Sequence, residues 1–317
     1  MITRVLGSSG IEVGTVGYGA MPLNWEYGTP VGDEEAAAVV GRALDSGVTL
    51  LDTADCYGRN EELLGQALRG RREEAVLSTK VGLVVSSEDP LTYKNDARPS
   101  HIRSSCDRSL RRLGVDVIDL YQLHRVDPSV PVEESLGAMA ELVADGKVRA
   151  LGLSEVDVST LERAMAVHPI ASVQSELSLW TRQPLEEVVP WCDTHDVAFL
   201  PYSPLGRGYL TGQLESADLD SADFRSQLPR FSSEAMEANR AIVAGIAAVA
   251  VRHEATNAQV ALAWLLAQSE RVIPIPGTKT VRYVEENAKA ADLRLTADDL
   301  DALEALPSPV GGRYGSM

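Results

Sequence analysis

Short runs of apolar, β-rich residues alternate along the chain with longer stretches whose apolar positions recur at helical spacing. The runs are TVGYGAM (15–21), VTLLD (48–52), AVLSTKVG (75–82), VIDLYQLH (117–124), VRALGLS (148–154), SVQSEL (172–177), VAFLPYS (197–203) and RVIPIPG (271–277). The intervening GDEEAAAVVGRALDSG (32–47) has an acidic first turn after Gly32 and stops at Gly47, which predicts a helix. RPSHIRSSCDRSLRRLG (98–114) places Ser100 as an N-cap and Gly114 as the stop. PVEESLGAMAELVADGK (131–147) starts with Pro131 at the first turn and ends at Gly146. A further helix is expected from Asn60.

Strand and helix alternating eight times predict parallel strands joined by right-handed crossovers, and therefore an α/β (β/α)8 TIM barrel. A doubly wound sheet would carry a G-x-G-x-x-G fingerprint after its first strand, and VGYGAMPL does not supply it. With no linker or break in composition, residues 1–317 read as a single domain. Two segments interrupt the alternation. Residues 210–236 are polar and weakly periodic, as expected of a long loop covering an active site. The Pro/Gly-rich residues 306–317 are expected to form an irregular tail.

Composition narrows the function classes. The net charge of −17 repels phosphate backbones, so nucleic acid is not an expected partner. No apolar run approaches the ~20 residues of a membrane span, and the start lacks the apolar core of a secretory signal. Cys56, Cys106 and Cys192 are too scattered for a zinc site or a disulfide framework, as suits reduced thiols in a cytoplasmic protein.

In a barrel of this kind, residues that close the strands face the active site. Here those residues are Asp52, Lys80 and His124, on three successive strands. By period-two alternation Asp52 shares a face with Leu50, Lys80 with Ser78, and His124 with Gln122. Tyr57 reaches the same patch from the loop after Asp52. Each has an ordinary reading alone: a helix cap, a solvated amine, a packed histidine, a turn filler. Together they fit one chemistry. A phenol with pKa near ~10 is a poor proton donor until a nearby ammonium favours its phenolate. Lys80 can do this, and Asp52 can keep Lys80 charged. His124 can donate a hydrogen bond to a substrate oxygen. Such a set delivers a proton to an oxygen gaining negative charge, as in carbonyl reduction, with the hydride coming from a cofactor.

DTADCYG, STKVG, YQLHRVDP, VRALGLSEV, QSELSLW, PYSPLGRGYL and IPIPGTKTVRYVEEN, in that order over residues 3–305, resemble the aldo-keto reductases. The likeness is to the microbial and plant branch with pyridoxal-reductase-like and other aldehyde-reducing members. It implies NADPH-dependent reduction of aldehydes and ketones, with Asp52, Tyr57, Lys80 and His124 catalytic. It further implies an NADP(H) cradle. Gly19 and Met21 approach from the first strand, beside Asp52. Ser154 and Gln174 hold the nicotinamide carboxamide, and Tyr202 stacks on its ring. Ser203, Pro204, Leu205, Gly206, Arg207 and Gly208 serve the pyrophosphate. Gly277, Thr278 and Lys279 open a helix whose N-terminus is a phosphate site, Lys279 and Arg282 face the 2′-phosphate, and Glu286 and Asn287 meet the adenine. Trp25 is expected to wall the substrate pocket with Tyr57 and His124. Loops 23–29, 84–98 and 210–236 are expected to set specificity.

The chain departs from the family pattern at Glu155, where many members carry asparagine, and at Tyr283, where other branches carry Arg or Gln. Two rivals stay open. A regulatory subunit resembling the potassium-channel β subunits would share fold and cofactor, and turnover of free aldehydes separates it. A cofactor-free barrel, such as a phosphate-binding isomerase, would bind no nicotinamide. The fold needs no partner to close its core, so a monomer suffices. The expected partner is a small carbonyl compound, without nucleic acid or membrane.

Overall fold

Seven parallel strands and one irregular eighth segment form the centre of the molecule. The computed structural model describes residues 2–25, 29–85, 93–215, 219 and 223–314. The expectations for loops 23–29, 84–98 and 210–236 and for the tail lie partly outside these residues. The chain opens with an antiparallel hairpin, β1 (Thr3–Val5) and β2 (Glu12–Gly14). The barrel strands that follow are β3 (Tyr18–Gly19), β4 (Leu50–Asp52) and β5 (Val76–Val81). A second hairpin, β6 (Leu83–Val85) with β7 (Tyr93–Asn95), stands on the loop after β5. The barrel continues with β8 (Ile118–Leu123), β9 (Val148–Ser154), β10 (Ser172–Glu176) and β11 (Ala198–Tyr202). The parallel order is β3-β4-β5-β8-β9-β10-β11.

The expected eighth strand, RVIPIPG, is not regular, although it does close the barrel. Ile273 and Ile275 donate to the carbonyls of Phe199 and Pro201 in β11, while Gly17 and Gly19 donate to those of Pro274 and Pro276. The prolines have no N–H to give back, so regular pairing fails on the β3 side. Gly19 and Gly277 make the close approach possible. A Cβ on Gly19 would come within 2.8 Å of the Ile275 carbonyl, and one on Gly277 within 2.8 Å of the Gly19 carbonyl.

Helices cover the outside: α1 (Asp33–Asp45), α2 (Asn60–Ala67), α3 (Pro99–Leu113), α4 (Val132–Ala144), α5 (Val158–Met165) and α6 (Val188–His195). After β11 come α7 (Ser233–Ala238), α8 (Arg240–Arg252), α9 (Asn257–Gln268), α10 (Val281–Lys289) and α11 (Ala297–Glu304). The acidic first turn of α1 lies against the positive end of the helix dipole, and Glu35 accepts from the Gly32 N–H. Ser100 is not the N-cap of α3. Arg98 is, because Pro99 suits the first helical position, where its missing N–H costs nothing. Residues 210–236 are not loop throughout: 3-10 turns occupy Phe224–Gln227 and Pro229–Phe231, and α7 starts after the Ser232 cap. None of the described helices is long and apolar enough to cross a membrane.

The barrel interior changes character along its axis. At the amino ends of the strands Leu50, Leu120, Ala150, Ala198, Leu200 and Ile273 pack with Leu6, Ile11 and Val13 of the first hairpin, which plugs that end. Two residues further along the same inward rows the side chains turn polar, Asp52 after Leu50 and Gln122 after Leu120. Apolar burial stabilises the closed end, and the open end is left for chemistry.

Candidate active site

The polar end centres on a buried ion pair. Lys80 Nζ donates to Asp52 Oδ1 at 2.5 Å and to the Thr53 carbonyl at 2.7 Å, and both side chains are at most 5% exposed. Asp52 Oδ2 accepts from Ser78 Oγ (2.8 Å), Gln122 Nε2 (3.1 Å) and Gln174 Nε2 (3.0 Å). Donors from three other strands, β5, β8 and β10, thus hold one carboxylate in place. A buried pair is stable only when its remaining polar atoms are satisfied in this way.

Tyr57 stands above the pair, with Lys80 Nζ 5.3 Å from its ring centroid. Its loop is fixed on both sides. Gly58 has φ +55°, and a Cβ there would lie 2.4 Å from Asn24 Oδ1, which itself accepts from the Arg59 N–H. Asn60, at the start of α2, donates to the Ala20 and Met21 carbonyls and ties this loop to the turn after β3. The Tyr57 hydroxyl is 3.4 Å from His124 Nε2, and the rings meet edge to face. Cys56 Sγ lies 3.7 Å from the other ring nitrogen, Nδ1. Burial, with Lys80 and Arg125 adding to it, holds the His124 imidazole well below its ordinary pKa, so it is neutral near pH ~7. A neutral imidazole carries one N–H, which can be donated to a substrate oxygen.

These side chains open onto a cavity of about 670 Å³. Asp52, Tyr57 and His124 line it with Trp25, whose ring centroid is 6.3 Å from that of Tyr57. Lys80 lies behind the wall. Leu83, Val85 and Tyr93 of the second hairpin add an apolar side.

The wall continues through Gly19, Met21, Ser154, Gln174, Tyr202, Ser203, Pro204, Leu205, Arg207, Gly208, Gly277, Thr278, Lys279, Glu286 and Asn287. Two residues of the expected set are not on it. Gly206 is buried beneath, where a Cβ would meet Trp180 at 2.7 Å. Arg282 lies over the Tyr283 ring, 5.9 Å from its centroid, and Arg225 and Tyr283 line the cavity there instead. The turn at Gly206, Arg207 and Gly208 has three successive positive φ angles, and the N–H groups of Gly206 and Gly208 close it onto the Ser203 and Leu205 carbonyls. Gly277, Thr278 and Lys279 do not begin the helix. They form the loop before it, with Thr280 as N-cap. Tyr18 holds that loop from β3 by donating to the Thr278 carbonyl at 2.7 Å, and Lys279 Nζ donates to the Thr29 carbonyl at 2.7 Å.

The tail brings residues that sequence reasoning missed. Its described residues are bound at Asn239 and at Arg230, which donates to the Gly311 carbonyl. Arg313 donates to Glu155 Oε1 (3.1 Å), Glu176 Oε2 (3.2 Å) and the Tyr202 hydroxyl (2.9 Å). Tyr314 lies 3.2 Å from the Tyr202 hydroxyl and joins the cavity wall. Glu155, at φ +53°, is therefore occupied by Arg313 and by the Glu176 N–H. Burial, and then Tyr314, Glu155 and Glu176, push the Tyr202 phenol well up, so it stays protonated.

A model of the aldo/keto reductase family matches residues 15–307. The chain is 42% identical over 315 residues to a probable aldo-keto reductase 1 of Glycine max, covering 98% of this chain and 90% of that one. Among solved structures it is similar to a glycerol dehydrogenase of Gluconobacter oxydans (TM-score 0.86, 30% identity, 99% and 98% of the two chains). It is also similar to an aldo/keto reductase of Klebsiella pneumoniae in complex with NADP and acetate (TM-score 0.75, 28% identity, 100% of each chain).

Proposed function

Because the chain belongs to the aldo/keto reductase family, we propose that it reduces aldehydes and ketones to alcohols with NADPH, using Tyr57 as the proton donor. The observation that carries this reading is the Tyr57 hydroxyl 3.4 Å from His124 Nε2 at the cavity wall, with the Asp52–Lys80 pair behind it.

The residues present fit the cofactor. The cavity runs from Tyr57 past Tyr202 to Asn287, and Arg207, Arg225 and Lys279 give its wall cations suited to phosphates in a chain of net charge −17. Ser154 and Gln174 would hold the carboxamide, Tyr202 the nicotinamide ring, and Lys279 the 2′-phosphate. Bound NADPH supplies the hydride that no side chain can supply.

The chain's own groups do the rest. His124, neutral, donates from Nε2 to the carbonyl oxygen and orients it. Tyr57 gives its hydroxyl proton to that oxygen as negative charge develops there. The Lys80 ammonium, paired with Asp52 and 5.3 Å from the Tyr57 ring centroid, stabilises the phenolate that remains. Ser78, Gln122 and Gln174 hold the Asp52 carboxylate, so the pair does not reorganise during the reaction. The test is loss of NADPH absorbance when purified protein meets a nitrobenzaldehyde. Turnover supports the reading. Tight NADPH binding without turnover of any aldehyde would favour the regulatory alternative, and no binding of either nicotinamide would exclude both.

A further inference from the structure

We propose that Arg125 forms an anion subsite in the substrate pocket, so that the preferred carbonyl substrates carry a carboxylate close to the reacting carbonyl. This rests on the reductase reading and deepens it. Arg125 directly follows His124 at the end of β8, is only partly exposed, and lines the cavity between Tyr57 and Tyr202. Only one arm of its guanidinium is engaged: Nη1 donates to the His124 carbonyl (2.6 Å) and to Ser154 Oγ (3.0 Å). Nε and Nη2 make no hydrogen bond among the described residues. They are not sealed in the protein either, since neither is among the buried atoms lacking a partner. Their N–H groups therefore open onto the cavity.

Among the described residues no carboxylate lies within ion-pair distance of Arg125. The nearby acids are engaged elsewhere: Glu155 by Arg313 and the Glu176 N–H, Glu176 by Arg313 and Thr181. A guanidinium held away from water without an ion partner is costly unless a ligand completes it. The planar fork of Nε and Nη2 matches the two oxygens of a carboxylate. The other cations on the wall, Arg207, Arg225 and Lys279, belong to the stretch assigned to cofactor phosphates. Arg125 stands beside the carbonyl-orienting histidine, so one small substrate can place its carbonyl oxygen at Tyr57 and His124 and its anion at Arg125.

The experiment compares kcat/KM for 2-, 3- and 4-carboxybenzaldehyde with the matching methyl esters, at saturating NADPH, for wild type, Arg125→Met and Arg125→Lys. A charge-assisted contact implies that wild type prefers at least one acid over its ester by about 10- to 150-fold. That ratio should collapse toward unity in Arg125→Met, survive in part in Arg125→Lys, and shrink with added salt. The ratio is the readout because a residue that merely positions Ser154 and His124 would slow acid and ester alike. An acid-to-ester ratio at or below unity for every isomer in wild type would overturn the proposal, whether or not the variants fold. So would an unchanged ratio in Arg125→Met. Binding of benzoate against benzamide to the NADP⁺ complex, followed by tryptophan fluorescence, separates the two readings. Arg125-dependent benzoate binding without turnover of any aldehyde upholds the subsite and sinks the reductase assignment. Benzoate binding no tighter than benzamide overturns the subsite and leaves ester reduction intact.

Discussion

Tyr57 has the most exposed role and the simplest test. Tyr57→Phe keeps the ring against Trp25 and His124 and removes the proton. Reduction should fall by roughly 10²–10⁴-fold, while the dissociation constant for NADPH hardly moves. Near wild-type turnover would mean that another group donates. Lys80 behaves differently because it is buried with its partner. Lys80→Met leaves the Asp52 carboxylate without its ammonium, and chemical denaturation should show a loss of about 3–5 kcal/mol beside the loss of activity. Asp55, one residue before Cys56, adds a pH effect. Burial, reinforced by Glu61, pushes its carboxyl up to about 7, and its buried Oδ1 has no hydrogen-bond partner. An acid whose folded pKa is raised costs stability as pH rises from its unfolded pKa through the folded one. Asp55→Asn should therefore stabilise the protein by about 1–3 kcal/mol near pH ~8, with a smaller gain near pH ~5. A gain that is equal at both, or larger in acid, would show that the carboxylate is not held at a cost. The depressed His124 pKa lowers stability only as pH falls below ~6.5, equally in both proteins, so it drops out of the comparison. The strand-end positions of Asp52, Lys80 and His124 could be read from period-two alternation. The partners of the second Asp52 oxygen, Ser78, Gln122 and Gln174, could not, because register across a barrel is set by closure and not by any local pattern.

Among the elements, the proposed function assigns the cofactor choice to the loop between the eighth segment and α10. Lys279 reaches the cavity from it while also donating to the Thr29 carbonyl. Removing it in Lys279→Ala should weaken NADPH binding about 10- to 150-fold, the range for a contact worth roughly 1.5–3 kcal/mol. NADH lacks the 2′-phosphate, so its affinity should change little. Equal weakening of both cofactors would mean that Lys279 only holds the loop. The strands and most helix ends were legible because caps, glycine stops and apolar period are local signals. RVIPIPG was legible as a strand by composition, but its prolines dictate one-sided pairing. The opening hairpin escaped notice because its strands are three residues each, too short to show a period.

At the scale of the whole molecule, the chain's two ends serve opposite faces of the barrel, the first hairpin plugging the apolar end and the tail crossing the polar one. Arg313 and Glu155 are 158 residues apart in sequence, and no local pattern marks such a pair. Arg313→Met should weaken NADPH binding several-fold by leaving Glu155 and Glu176 beside the cavity with less countercharge, and raising ionic strength should narrow the gap to wild type. A variant with wild-type affinity at low salt would limit the tail to a structural tie. The proline-bearing eighth segment has a mechanical consequence. On the β3 side its prolines accept from Gly17 and Gly19 and cannot donate in return, so the barrel has a seam sewn with half its thread. Gly19 on one bank and Ile275 to Thr280 on the other both line the cavity. A dinucleotide lying there rests across the join and acts as a staple. Saturating NADPH should accordingly slow deuterium uptake at the Gly17 and Gly19 amides more than at the interior amides of β8, because local opening at the seam must first release the ligand that spans it.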